Sequence, residues 1–342
     1  MIRYLPQIYE NELLSSWLSR AYSHSPYISS ASFRHTIIDK PTVSIDWLFY
    51  NEYSKDFKKL LNEKYGFKNL IEKHTLVPFY SSFFLSKQKK EVLHKAMNCE
   101  PCITHFLSYP TTHMRTIKYC PKCISEHREP YFALEPQIIG MNYCPIHKCK
   151  YRSTNILLDR EKLLEFKSMD LIDFDLSPIE QSEEDNINIK VARYISEFLH
   201  SEPNYDNNIP IGLFLRSRLE GTDYISKRGK QIKNLNQLLF DITDFYKDLE
   251  YFELSRWRLC HILMGSYINV YDILLIAYFL QINIQDVINP ILPHQSQLEL
   301  FDMKVNEMFR KGMNYMDIAR ALKTDKEVIR QVILGKYIKQ NL

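Results

Sequence analysis

Two short stretches constrain this chain more than any other feature. "YCPKC" occupies residues 119–123 and "YCPIH" residues 143–147. Each places a second soft ligand three positions after a cysteine, and two ligands so spaced can chelate from one tight turn. Proline after the first cysteine stiffens that turn. Thiolate and imidazole bind zinc tetrahedrally, and structural sites take four protein ligands. Cys120 and Cys123 would form one knuckle, Cys144 and His147 the other. The twenty residues between Cys123 and Cys144 lie in the range of paired zinc knuckles. His147 keeps the two-residue spacing; Cys149, two positions on, and His127 are alternative fourth ligands. Tyr119 and Tyr143, which precede the two knuckles, are placed to pack over the site.

Four protein ligands leave no open position, so the expected metal is a structural zinc ion that activates no water. No H-E-x-x-H and no H-x-E…P-C-x-x-C pattern occurs, which argues against metalloprotease or deaminase chemistry. The chain therefore reads as a non-enzyme. A second pair, Cys99 and Cys102 in "NCEPC", has the same spacing but no matching second knuckle. Packing or free thiols, redox chemistry, and a second metal with His94 or His105 all remain open for it. Cys260, in "WRLCHIL", reads as core.

Glycine is scarce, 8 in 342 residues, which disfavours the turn-rich Rossmann, barrel and sandwich folds. The expectation is a mainly α, multidomain helical protein with a small structural zinc-knuckle module and helix-turn-helix-like units. A net charge of +3 is too small to name a partner, so the placement of the cations matters more. No apolar run approaches the ~18–20 residues of a membrane span. The start has no signal-peptide pattern, and the seven cysteines are odd in number. Both features point to reduced cytoplasm.

Residues 1–112 predict an N-terminal helical domain for partner recruitment. Leu13, Leu14, Trp17, Leu18 and Ala21 share one helical face, and Gly66 is a stop signal. The stretch from 74 turns at Pro78 and then resumes a helical pattern. Residues 113–155, rich in proline, cysteine and histidine, predict the zinc module, a segment that needs a source of order other than its own core. Residues 156–190 are acidic and read as a solvated linker or loop. Residues 191–295 and 296–342 predict two helix-turn-helix-like units.

In the last unit, Val305, Met308 and Phe309 begin an apolar stripe that Ile318, Ala319 and Leu322, then Val328, Ile329, Val332 and Ile333, continue. Its final helix would present Lys326, Arg330 and Gln331 outward, types suited to phosphate or base-edge contact. A plain helical hairpin with solvated charges is the alternative. In the preceding unit Arg216 and Arg218 end one helix. Lys227, Arg228, Lys230 and Lys233 crowd the turn before a helix carrying Leu235, Leu238, Leu239 and Ile242. Clustered cations ahead of a helix suit a phosphate backbone, with an ordinary basic loop as the bland reading.

"LPQIYENELLSSWLSR", "HTLVPFYSSFF" and the 119–149 stretch together resemble the TniQ/TnsD proteins of transposons. The family's P-x-x-x-E-x-L-x-S-x-x-x-R stretch is loosely occupied by Pro6, Glu12, Leu13, Ser16 and Arg20. Its CP-x-C and CP-x-H knuckles fall on Cys120, Cys123, Cys144 and His147. The resemblance covers roughly residues 1–152 and continues more weakly through "SKRGKQIKNLNQLL" and "VYDILLIAYFL". It implies a target-selection protein of cut-and-paste transposition that works at the bacterial nucleoid. Such a protein would bind double-stranded attachment-site DNA and recruit the AAA+ ATPase regulator of the transposase. Shorter members of the family instead dock on a CRISPR Cascade complex and have little DNA specificity of their own. The long continuation past the knuckles favours direct DNA binding. The Cys99/Cys102 pair is a departure from the family's zinc pattern.

Overall fold

The structure is a computed structural model that describes residues 4–39, 45–100, 116–157, 165–225, 232 and 234–334. Its described residues are mainly helical. The elements of the first third are α1 (Leu14–Ser23), α2 (Ser30–Ile37), α3 (Lys55–Tyr65), α4 (Phe67–His74), α5 (Val77–Ser81) and α6 (Ser86–Met97). The predicted stripe of α1 is its core face: Leu13, Leu14, Trp17, Leu18 and Ala21 are all buried. Helix α3 starts on a Ser54 cap and stops at Gly66, whose φ of 72° suits glycine. Pro78 does not mark a turn. It sits in the first turn of α5, where a missing N–H removes no helical hydrogen bond.

The proline-rich segment contains a feature that the loss of helical periodicity did not reveal. Strands β1 (Thr116–Tyr119) and β2 (Arg152–Leu157) pair antiparallel, with Tyr119 opposite Arg152 and Lys118 opposite Ser153. Alternate residues Ile117, Tyr119, Thr154 and Ile156 are buried, as period-two burial requires. One short helix, α7 (Pro121–Glu126), follows β1. The segment also draws on a core it shares. Ile117, Phe132, Leu134, Ile138 and Met141 belong to a single buried cluster that runs from Leu5 to Leu292.

Between the end of β2 and residue 187 the acidic stretch carries only a 3-10 turn, Met169–Leu171, among its described residues. It is tied down rather than fully solvated. Phe166 is buried edge-on to Phe33 at 5.7 Å, and Met169 and Ile172 are buried beside it in the chain. Further on, Asp175 pairs with Arg152 at 2.8 Å and Glu184 with Lys148 at 2.6 Å. The charge pattern hid the apolar anchors Phe166, Met169, Ile172 and Phe174.

The rest is helical: α8 (Ile187–His200), α9 (Ile211–Arg218), α10 (Leu235–Phe245), α11 (Arg256–Leu263), α12 (Val270–Phe279) and α13 (Ile284–Ile288). Helix α12 is apolar around most of its circumference and is buried throughout Val270–Ala277, as expected of a central helix. It meets the proline-rich segment closely. A Cβ at Gly140, where φ is 84°, would stand 2.3 Å from Cζ of Tyr271. The Tyr271 hydroxyl donates to the carbonyls of Gly140 and Tyr251.

The last described helices, α14 (His294–Arg310), α15 (Tyr315–Ala321) and α16 (Lys326–Ile333), form a separate small core from Val305, Ile318, Ala319, Ile329 and Val332. Met308, Leu322 and Ile333 pack on it. Phe309, assigned to the stripe from sequence, is instead exposed and stacks on Tyr315 at 5.6 Å. Asn314 and Asp325 cap α15 and α16.

Candidate metal centre

Local backbone chemistry builds both knuckles. Cys120 leaves β1 as the N-cap residue of α7, Pro121 occupies the first helical turn, and Cys123 lies one turn along. In the second knuckle the chain folds back on itself. Cys144 N–H donates to the Cys149 carbonyl, Lys148 N–H donates to the Cys144 carbonyl, and Tyr143 bridges Lys150. Lys148 takes a φ of 54° to close this turn. The His147 N–H donates to Cys144 Sγ at 3.3 Å.

These turns bring the four residues together. One ligand atom from each of Cys120, Cys123, Cys144 and His147 lies within 4.8 Å of all the others. His147 Nδ1 is 3.6 Å from Cys120 Sγ, 3.2 Å from Cys123 Sγ and 3.7 Å from Cys144 Sγ, and the Cys123 and Cys144 sulfurs are 3.9 Å apart. Tetrahedral zinc with ordinary bond lengths sets ligand separations of about 3.5–3.8 Å. The donor set therefore fits a closed Cys3His site and could hold a metal ion. The far ring nitrogen, Nε2 of His147, meets Glu126 Oε1 at 2.9 Å. An outer carboxylate of this kind fixes the tautomer that leaves Nδ1 free to ligate.

Crowded thiols make the same point electrostatically. The Cys120 thiol is held well below its ordinary range because the Cys123 and Cys144 thiols donate hydrogen bonds to it. The same contact with Cys120 pushes Cys144 up to about 11. Burial, with the Cys120 charge, pushes Cys149 up to about 12. A divalent cation would relieve this mutual repulsion.

Cys149 is fully buried with its sulfur 3.5 Å from that of Cys120, yet it stands outside the group of four. His127 is engaged elsewhere, its ring 4.8 Å from that of Tyr131. Of the tyrosines expected over the site, Tyr119 does border it. Tyr143 turns away, and its hydroxyl donates to Glu250 Oε1 at 2.5 Å. Tyr151 takes that second place. Cys99 is buried with its thiol raised by burial, and Cys102, His105 and any second knuckle built on them lie outside the described residues. Cys260 is half-buried, with its thiol 3.6 Å from the Met264 sulfur.

The predicted DNA contacts are distributed as follows. Arg216 is half-buried in the last turn of α9. Arg218 is exposed, stacks 5.0 Å from the Phe214 centroid and faces Asp286 at 3.3 Å. Lys227, Arg228, Lys230 and Lys233 lie outside the described residues. Lys326 and Arg330 are exposed on α16, Arg330 with Glu327 at 3.6 Å. Gln331 is half-buried rather than outward, and its amide donates to Glu327.

The family-like N-terminal pattern proves to be a buried polar network. Trp17 Nε1 donates to the Pro6 carbonyl, and Ser16 donates to Glu12 while accepting from the Phe132 N–H. Arg20 joins Glu12 to Glu129 and lies 4.0 Å over the Tyr9 ring. Leu13 and Phe132, and Leu134 and Asn11, are linked by backbone hydrogen bonds. The pattern thus fastens α1 to the strand of chain between the two knuckles. The sequence pattern alone does not disclose this role. The sequence signal for it is the four-residue spacing of Glu12, Ser16 and Arg20, which runs from just ahead of α1 into the helix.

Among the described residues no helix is long and apolar enough to cross a membrane. Comparison with curated proteins finds no match. A comparison with protein families matches residues 3–150 to TniQ, a span that holds both the buried N-terminal network and the metal centre. That domain indicates a transposition-associated protein. Residues 3–150 of this chain are thus similar to the TniQ family, as a domain within the longer chain.

Proposed function

We propose that this protein is a TnsD-like target-selection component of a transposon, without catalytic activity of its own. It binds attachment-site DNA and recruits the AAA+ ATPase that regulates the transposase. Cys120, Cys123, Cys144 and His147 would hold one structural zinc ion there. Bound zinc supplies stability and an electrostatic anchor, since four protein donors leave no position for substrate. Within the chain, Glu126 orients His147, and the Glu12–Arg20 network carries the knuckles' position to α1.

The observation that carries the DNA reading is the pairing, in one chain, of a TniQ region with the small α14–α16 unit, whose last helix exposes Lys326 and Arg330. Mobility-shift titration against duplex containing the attachment sequence tests it. Binding should weaken steeply with salt, and Lys326→Ala and Arg330→Ala should each flatten the salt slope by about one. Binding indifferent to salt and sequence would overturn the reading.

One observation favours a second reading, an adaptor that docks on a Cascade complex. Arg218 and Arg330 each face a carboxylate, Asp286 and Glu327, that a phosphate would have to displace. Co-purification with Cascade subunits, together with no footprint on free DNA, would select it.

A further inference from the structure

Helix α11 carries two apolar faces. Leu259, Ile262 and Leu263 turn into the shared core. On the other side Trp257 and Met264 stand out into solvent, 58% and 61% exposed. Seven positions apart, they lie two turns along one helical face. Between them His261 packs against the Trp257 ring with centroids 4.4 Å apart, and Tyr267 meets the same ring edge-on at 5.3 Å. These neighbours hold the indole in place and leave more than half of it in water. Arg256 Nε donates to Asn236 Oδ1 at 2.8 Å and so ties this face to α10. Phe240, one turn beyond Asn236 on the same side of α10, is 66% exposed. Single exposed apolar residues are ordinary, but a held cluster of large ones marks a contact surface, and Trp and Arg are the usual anchors of protein interfaces.

Charge selects the occupant. Arg256 is exposed and has no carboxylate partner among the described residues; its one hydrogen bond there is the Nε contact with Asn236. The carboxylates of α10 are taken up elsewhere. Asp241 accepts from Tyr224 and Gln237, and Asp244 faces Lys247 at 3.8 Å. One cation among aromatic rings is too little for a phosphate backbone, where affinity grows with the number of phosphates neutralised. It suits an apolar surface edged by a carboxylate, which a guanidinium meets with paired hydrogen bonds.

We propose that the Trp257–Met264 face of α11, with Arg256 and Phe240 at its edge, docks an amphipathic helix of a partner protein. That helix is apolar where it meets Trp257 and Met264 and carries a carboxylate for Arg256. Two apolar residues two turns apart form the kind of seam that one helix offers to another. The inference goes beyond the DNA reading and does not depend on it. It places a protein contact within residues 191–295, a unit whose clustered cations pointed to nucleic acid.

Trp257 is itself the reporter. The chain has three tryptophans, and Trp17 and Trp47 are buried, so acrylamide quenching of the full zinc-loaded chain reads Trp257. The probes are two amphipathic helical peptides with leucines along one face, one flanked by glutamates and the other by lysines. The acidic peptide should shield Trp257 from the quencher and bind in the submillimolar range, about fivefold tighter than the basic one. Arg256→Ala should abolish that preference. Trp257→Ala and Met264→Ser should each weaken the acidic peptide severalfold, read by anisotropy of a labelled copy, with unchanged melting temperatures because both side chains are exposed. No shielding by the acidic peptide, or equal binding to Trp257→Ala, would overturn the surface. Shielding of Trp257 by duplex DNA, or by self-association of the chain in concentration-dependent sedimentation, would overturn the choice of partner.

Discussion

Arg20 Nη1 lies 2.7 Å from Glu12 Oε2, with both side chains almost wholly removed from solvent, at 3% and 0% exposure. Arg20 sits on α1 and Glu12 just ahead of it, but the guanidinium also reaches Glu129, which follows the first knuckle in sequence. A buried pair of this kind is costly to break, because the carboxyl left behind loses its hydrogen-bond partner and has no water to turn to. Arg20→Ala should therefore lose about 3–5 kcal/mol, read as a lower urea midpoint. Arg20→Lys should recover only part of this, since one ammonium cannot serve Glu12, Glu129 and the Gln7 carbonyl as a planar fork does. A midpoint unchanged in Arg20→Ala would mean that the network contributes nothing to stability.

Burial lifts the Glu12 carboxyl to about 7, against the opposing pull of Arg20, the Tyr9 N–H and the Ser16 hydroxyl. In the unfolded chain it returns to its ordinary 4.5. Between those values the folded chain holds a proton that the unfolded chain has released. Stability from this group is thus full below about pH 4.5 and declines as pH rises towards 7, by at most about 3 kcal/mol. Glu12→Gln cannot titrate. Melting curves across this range should show wild type losing more stability than the variant with rising pH, and parallel curves would refute the assignment.

The metal centre makes a separable prediction. Strong chelation should lower the melting temperature and release one zinc from this site per chain. Cys144→Ser should cost the metal, whereas Cys149→Ser should retain it, because Cys149 stands outside the four converging ligands. X-ray absorption should report three sulfurs and one nitrogen. Zinc loss in Cys149→Ser together with retention in His147→Ala would reassign the fourth ligand.

Gly140→Ala should be strongly destabilising, by about 2–4 kcal/mol, from a positive φ and a methyl group driven into the Tyr271 ring. Adding Tyr271→Ala opens space for that methyl group. In a double-mutant cycle, Gly140→Ala should therefore cost less in the Tyr271→Ala background, leaving mainly the backbone term. Strict additivity would show that the ring is not the obstacle.

The sequence by itself determined much of this protein. Matched Tyr-Cys-Pro leads and fixed spacings named Cys120, Cys123, Cys144 and His147, because a knuckle is a local object whose geometry is set within a few residues. Helical periodicity likewise marked the α1 core face and the α14–α16 unit, since burial on one side of a helix leaves a repeat of its own. Tertiary structure decided what depends on residues distant in the chain. The β1–β2 pairing joins segments more than thirty residues apart. The acidic stretch is pinned by Phe166 reaching Phe33, and Tyr143 is drawn off the metal centre by Glu250. Arg20 finds Glu129 across a separation of 109 positions. No periodicity encodes such meetings. They follow from the way the shared core brings the N-terminal helices, the knuckles and α12 together, which only the folded chain specifies.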